Sequence, residues 1–383
     1  MKLNKTIGAI SIAAALALSG CGGSGGGSGA GDNSRLAYLD AMTQTFEKDI
    51  LNLKNNWQND PESLMTKSHA EKVAALVGGC FGIADEVGAG KISDPIEADN
   101  DHTTYDITKV ESQYSWNSTA DFYNNIYSVK KVWDAGLKDL VELAGKTPAQ
   151  TAVVTALIDT ALAEIAEISN LTGHEDAVKG GTHSIAQADA FRNRMQTDAG
   201  NAQIVQAQNA VVVLAGALNN LSTYVTTAAA TGILNDPANS NAIVGHLTPI
   251  GTDVIKATYQ TMATNATGLK NAVAALKADP TAANVTAARN AWKLVRAPWE
   301  SSEAYIVDTA PSIGDATDGN CDSWPVPSAA DIENNLAAWD GKLTTIETTD
   351  GEVKGFHAIE YFLFGGGTAV ESAADAVTRL TAD

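Results

Sequence analysis

His357 and Glu360 stand three residues apart in the apolar run GFHAIEYFLFGGG. If that run is helical, the step stacks imidazole and carboxylate on one face, making a two-donor half-site for a metal. The flanking Phe356, Ile359, Tyr361, Phe362, Leu363 and Phe364 predict a low dielectric, where an unpartnered carboxylate is costly. Some partner must therefore reach the pair. A hydrogen-bonded core histidine with a nearby structural acid satisfies the same spacing, so both readings stay open.

The elements that must position these residues read as helices. Alanine is abundant, prolines fall mostly between segments, and apolar residues recur at three and four. Helices are expected at about residues 36–57, 62–86, 120–144, 149–170, 184–230, 249–278 and 282–305, with Thr147-Pro148 and Asp279-Pro280 as start and stop signals. No strand pattern of useful length competes, which predicts an all-α protein. About 350 residues follow the first 34, enough for two domains with their own cores. Residues 231–245, TGILNDPANSNAIVG, are the expected linker between a helical domain at 35–230 and another at 246–383. Two polar stretches, at 91–122 and 310–327, are long enough to be binding loops.

Other catalytic signatures fail residue by residue. His174-Glu175 opens a zincin-like pattern, but Val178 stands where the second histidine is needed. Gly145-Lys146-Thr147 resembles the end of a phosphate-binding loop, yet Leu140 replaces its first glycine.

The N-terminus predicts export. Lys2 and Lys5 precede an apolar run from Ile7 to Leu18 that is too short to span a bilayer, and Leu18-Ser19-Gly20-Cys21 resembles a bacterial lipobox. On that reading residues 1–20 are the signal, Cys21 carries the lipid, and 21–34 are a Gly/Ser tether. With 25 Lys and Arg against 45 Asp and Glu, the formal charge is −20. That excludes nucleic acid as a partner and suits the attraction of cations. Cys80 and Cys321 remain; an oxidising envelope would permit them to pair, and the sequence leaves that open.

The GFHAIE segment gains context from AWKLVRAPWESSEAY and CDSWPVP upstream. Through Arg296, Pro298, Trp299, Ser302, Glu303, Trp324, Pro325, Gly355, His357, Glu360, Leu363 and Gly365, these stretches resemble the imelysin-like family. Tyr305 departs from the family's usual Phe. VESQYSWNSTADFYNN resembles a second family block through Glu111, Ser112, Ser115, Asn117, Asp121 and Asn125, with Ser118 in place of Thr and Ser128 in place of Gly. Relatives carry this block after the GxHxxE half; here it lies about 240 residues before it. Circular permutation through residues 231–245 accounts for the order, and is tolerated where natural ends lie close together.

The resemblance implies two packed helical-bundle domains in a permuted arrangement, with the site where the two blocks meet. Family members include proteins linked to iron uptake, and the family is also classed as metallopeptidase. The implied ligands for a metal ion or metal chelate are His357, Glu360 and Glu303, with Arg296, Trp299, Trp324, Gly355, Glu111, Ser115, Asn117 and Asp121 in support. Such an oxygen-rich set suits iron, with zinc as the alternative. A metallopeptidase, or an interaction module meeting an envelope partner with HxxE purely structural, remain the competing classes. In the bland reading Arg296 and Glu303 form a buried ion pair, the tryptophans are core, and Ser115, Asn117 and Asp121 cap a helix.

Overall fold

The computed structural model describes residues 35–59, 66–96, 105–178, 190–306, 317–323, 326–349, 351–366 and 369–382. The expected leader, the lipid-bearing Cys21, the tether, Trp324 and Pro325 lie outside them. From Asn33 to Asp383 the chain forms one compact unit. It is all-α: the described residues contain no strand.

In chain order the helices are α1 (Arg35–Gln58), α2 (His69–Asp85), α3 (Ser93–Ile96), α4 (Ser118–Val132), α5 (Lys138–Leu143), α6 (Pro148–Ser169), α7 (His174–Val178), α8 (Ala190–Arg194) and α9 (Asp198–Val225). There follow α10 (Ala228–Leu234), α11 (Ser240–Pro249), α12 (Ala257–Ala278), α13 (Ala282–Glu300), α14 (Glu303–Ile306), α15 (Ala329–Ala338), α16 (Leu343–Thr348), α17 (Phe356–Phe364) and α18 (Ala373–Leu380). One layer packs α13 on α12 and α12 on α1, while α9 packs on both α6 and α2. α4 touches both groups through α6 and α13.

Helix ends follow the local chemistry. Thr147 and Gln150 close a capping box with Pro148 at the first helical position, as the sequence signal predicts. Ser68 and Glu71 form another, which starts α2 at His69, later than the expected 62. The expected helix at 184–230 is instead broken around α8, α9 and α10, because Thr197 and Thr227 each turn a side chain onto a backbone N–H and begin a new helix. The expected linker folds largely as α10, a short turn and α11.

Among the described residues three wide π turns, at Glu86–Lys91, Trp133–Leu137 and Ile250–Lys256, interrupt otherwise continuous helices. Such turns insert a residue and rotate the downstream side chains about the helix axis. Among the described residues two helical stretches, His69–Ile96 and Gly200–Val225, are long and apolar enough to cross a membrane by length and composition. They pack against each other in the core. Cys80 and Cys321 are both buried and free, so the pairing that the sequence left open is not made.

Candidate functional site

α17 starts at a glycine because nothing else fits. Gly355 has φ +81°, and a Cβ there would lie 2.4 Å from the carbonyl oxygen of Cys321. This close passage lays the start of α17 against the 317–323 segment. His357 and Asp322 meet as a result: Nε2 is 3.0 Å from Asp322 Oδ1, while Nδ1 is 2.9 Å from Glu360 Oε2. Both imidazole nitrogens therefore face carboxylates.

Glu360 ties in the early block. Its Oε1 accepts from the backbone N–H groups of Tyr114 and Ser115, at 3.1 and 2.6 Å. The turn that presents them places Trp116 at φ 61°, rare for a bulky residue, with its ring under the Arg192 guanidinium. α4 begins immediately after. Asn117 stands at its N-cap position but makes no cap bond; its Nδ2 donates to Asp121 Oδ1 at 2.8 Å, and Ser112 Oγ donates to Asp121 Oδ2.

Arg296 is the hub. Fully buried over the ring of Phe356, it approaches Asp322 Oδ1 at 2.6 Å, Glu300 Oε1 at 2.6 Å, Glu111 Oε1 at 3.1 Å and Asp121 Oδ1 at 3.6 Å. Its helical ion-pair partner is thus Glu300 rather than the Glu303 of the bland sequence reading. Lys91, turned inward by the first π turn, lies 2.8 Å from Glu111 and 3.9 Å from Glu300. Asn125 Nδ2 donates to Glu300 Oε2 at 2.6 Å, and Trp299 Nε1 to Asp322 Oδ2 at 2.7 Å.

Charge and proton occupancy follow from this geometry. Five acids (Glu111, Asp121, Glu300, Asp322 and Glu360) face three bases, Arg296, Lys91 and His357. Burial pushes Asp121 up to about 6 against the pull of Arg296, and it raises Glu300 well above the usual carboxylate range. Asp322 goes the other way: burial opposes it, but Arg296 and His357 hold it far below that range. His357 rises to about 9 despite burial, because Asp322 and Glu360 stabilise the imidazolium. Protons on Glu300 and Asp121 would bring the cluster to neutrality, which is how a buried ion group limits its desolvation cost.

Several contacts are close but poorly aligned. Arg296 Nη1, Asp322 Oδ1 and His357 Nε2 are buried without a well-directed hydrogen bond, as are Glu111 Oε2, Ser115 Oγ, Asn117 Oδ1 and Asn125 Oδ1. Polar groups left in this state invite water or an ion. Among the described residues two carboxylate triads could hold a cation, each with one oxygen per residue inside a 4.8 Å span: Glu111, Glu300 and Asp322, and Glu303, Asp318 and Asp322. Neither includes His357 or Glu360.

The structure brings together His357, Glu360, Arg296, Trp299, Gly355, Glu111, Ser115, Asn117 and Asp121. Glu303, at the start of α14 and partly exposed, joins through Asp322 rather than through His357. Sequence reasoning missed Lys91, Glu300, Asp318 and Asp322 as site residues. Glu300 was detectable from its four-residue spacing to Arg296. Asp322 was legible only as part of a long loop, and Lys91 depends on a π turn that no local signal announces.

These features fit what the chain is similar to. The family model described as imelysin matches residues 22–218 and 255–383. Iron-regulated protein A of Synechococcus elongatus is 36% identical over 111 residues, a stretch covering 29% of this chain and 29% of that protein. Among solved structures, an imelysin peptidase from Bacteroides ovatus superposes with a TM-score of 0.67 at 25% identity, over 88% of this chain and 97% of that one. The chain belongs to the imelysin family.

Proposed function

We propose that this is a lipid-anchored protein of the bacterial cell envelope that binds iron, or an iron-loaded ligand, and serves iron uptake. The observation that carries the reading is the Glu303, Asp318 and Asp322 triad on the outer side of a buried, positively braced cluster. Carboxylate oxygens suit a hard cation. The inner triad suits it less, because Arg296 and Lys91 already neutralise Glu111, Glu300 and Asp322. Burial together with neighbouring Asp318, Glu86 and Asp322 raises Glu303 well above its ordinary value despite Lys91, a crowding that a proton or a metal relieves.

His357 then acts by holding Asp322, itself fixed through Glu360 and the Tyr114 and Ser115 amides. Such outer partners orient the groups that touch the metal. Asp322 Oδ2 accepts from Trp299, while Oδ1 lies close to Arg296 and His357 without a well-directed hydrogen bond and keeps lone-pair directions for the ion. Glu303 and Asp318 supply the rest.

Support also comes from the family, from the likeness to iron-regulated protein A over part of its length, and from a family match that begins at Gly22, directly after Cys21. The two matched stretches, separated by residues 219–254, accord with permutation through residues 231–245.

Iron binding is checked by titrating metal-free protein and measuring bound iron by elemental analysis. One equivalent is expected in the native chain and little in Glu303→Gln or Asp318→Asn. Absence of bound iron in the native chain, or loading in both variants equal to that of the native chain, would sink the reading. The peptidase alternative has in its favour the description of the Bacteroides ovatus relative. Against it, a hydrolytic zinc site takes about three protein ligands and an activated water, whereas both His357 nitrogens face acids. Chelator-sensitive cleavage of an unstructured substrate that disappears in Glu360→Gln would favour it.

A further inference from the structure

The C-terminal end of α17 gathers a different charge. Its last-turn carbonyls, Phe362 O and Leu363 O, accept from Arg379 Nη2 at 2.8 Å and Arg289 Nε at 2.7 Å. Arg379 Nε also pairs with Glu371 Oε2 at 2.9 Å. Cations at a helix C-terminus complement its partial negative charge, which accounts for these contacts.

It does not account for what is left over. Arg289 Nη2 and Arg379 Nη1 are both buried and have no hydrogen-bond partner among the described residues. Arg289 as a whole is 9% exposed, with its guanidinium over the Phe364 ring. Lys293, one turn along α13 from Arg289, makes no ion pair within 4.0 Å among the described residues and feels the repulsion of Arg289. Glu371, the carboxylate that acts on Arg289, is already engaged by Arg379, while Arg379 also feels Glu333 and Lys293 feels Asp121. Burial lowers Arg289 to about 10, with Arg379 adding to the fall and Glu371 opposing it, the behaviour of a cation short of counter-charge. A buried guanidinium N–H without an acceptor costs free energy that a charged acceptor would recover.

We propose that Arg289 and Arg379, assisted by Lys293, form a binding site for a small oxyanion, a phosphate or a carboxylate, which accepts from Arg289 Nη2 and Arg379 Nη1. The side chains of Arg379 and Glu371 are 21% and 22% exposed, so they border solvent, whereas the two unpartnered N–H groups are enclosed and an anion reaches them by displacing Glu371 from Arg379. Lys293 is attracted by Asp121 and stands between this positive end and the acid cluster. The site is independent of any metal.

The test is calorimetric titration of the metal-free full chain with inorganic phosphate, sulfate and citrate at fixed ionic strength, with chloride as reference. One saturable site is expected, with a rise in Tm, and the stronger of the phosphate and citrate arms identifies the anion class. Arg379→Gln should bind about ten-fold more weakly, the effect of losing one charge-assisted hydrogen bond. Lys146→Gln, elsewhere on the surface, should bind as the native chain does. Heats no greater than chloride, or native affinity in Arg379→Gln, would overturn the proposal. Should Arg289→Gln fail to fold, the partly exposed Arg379 and the Lys293→Met variant decide it.

Discussion

Asp322 Oδ1 lies 3.0 Å from His357 Nε2 and, on its other side, 2.6 Å from Arg296 Nη1. A single carboxylate therefore meets an imidazolium and a guanidinium at a buried site. Asp322→Asn keeps the shape and removes the charge. It should cost about 3 kcal/mol, the range for breaking a buried ion pair. Denaturant unfolding measures the loss, and NMR titration should find the His357 pKa moved down from about 9.

The pH dependence has a definite sign. His357 rises from 6.5 unfolded to about 9 folded, so its contribution is complete below 6.5 and disappears as pH climbs through 9. Asp121, raised from 3.8 to about 6, likewise favours the fold on the acid side and ceases to do so as pH passes 6. Asp322, lowered, contributes above 3.8 and loses that contribution in stronger acid. The cluster's own contribution should peak in mildly acidic solution. Unfolding free energies from pH 4 to 10 should decline on the alkaline side, and His357→Gln should flatten the step near 9.

Gly355→Ala should be severe for its size. The left-handed φ is strained for alanine by roughly 1–2 kcal/mol, and the new methyl meets the Cys321 carbonyl at 2.4 Å. A fall in Tm is expected, together with weaker coupling between His357 and Asp322. Unchanged stability would contradict the close passage of Gly355 by Cys321.

Lys91→Met should leave Glu111 with a single cation partner and cost about 3 kcal/mol at neutral pH. Adding Glu111→Gln should restore part of it, because the uncompensated charge is then gone. A double-mutant cycle measures the coupling directly. Strict additivity would mean that the pair does not interact.

How much was legible can be judged from particular residues. The helical character and the capping signals at Thr147 follow from periodicity and local motif, and the convergence of Arg296, Glu111, Asp121 and the GFHAIE segment is what the family resemblance implies. What escaped depended on distant geometry. The imidazole gains its second acid, Asp322, because Gly355 passes Cys321, and Glu303 reaches the group through Asp322 and the charge of Lys91. The broken helices after residue 184 turn on hydroxyl caps that compete with a long alanine-rich pattern. Lys91 turns on one inserted residue in a helix, a shift that hydrophobic spacing does not register.

Arg296 clasps acids from the loop before α4, from α4 itself, from its own helix α13 and from the 317–323 segment. Detaching any one of these would strand charge in a medium that cannot solvate it, so none can fray alone without a large penalty. Their amide protons should accordingly exchange together, at a rate set by rupture of the whole knot, while helices that do not touch it open and close on their own schedule.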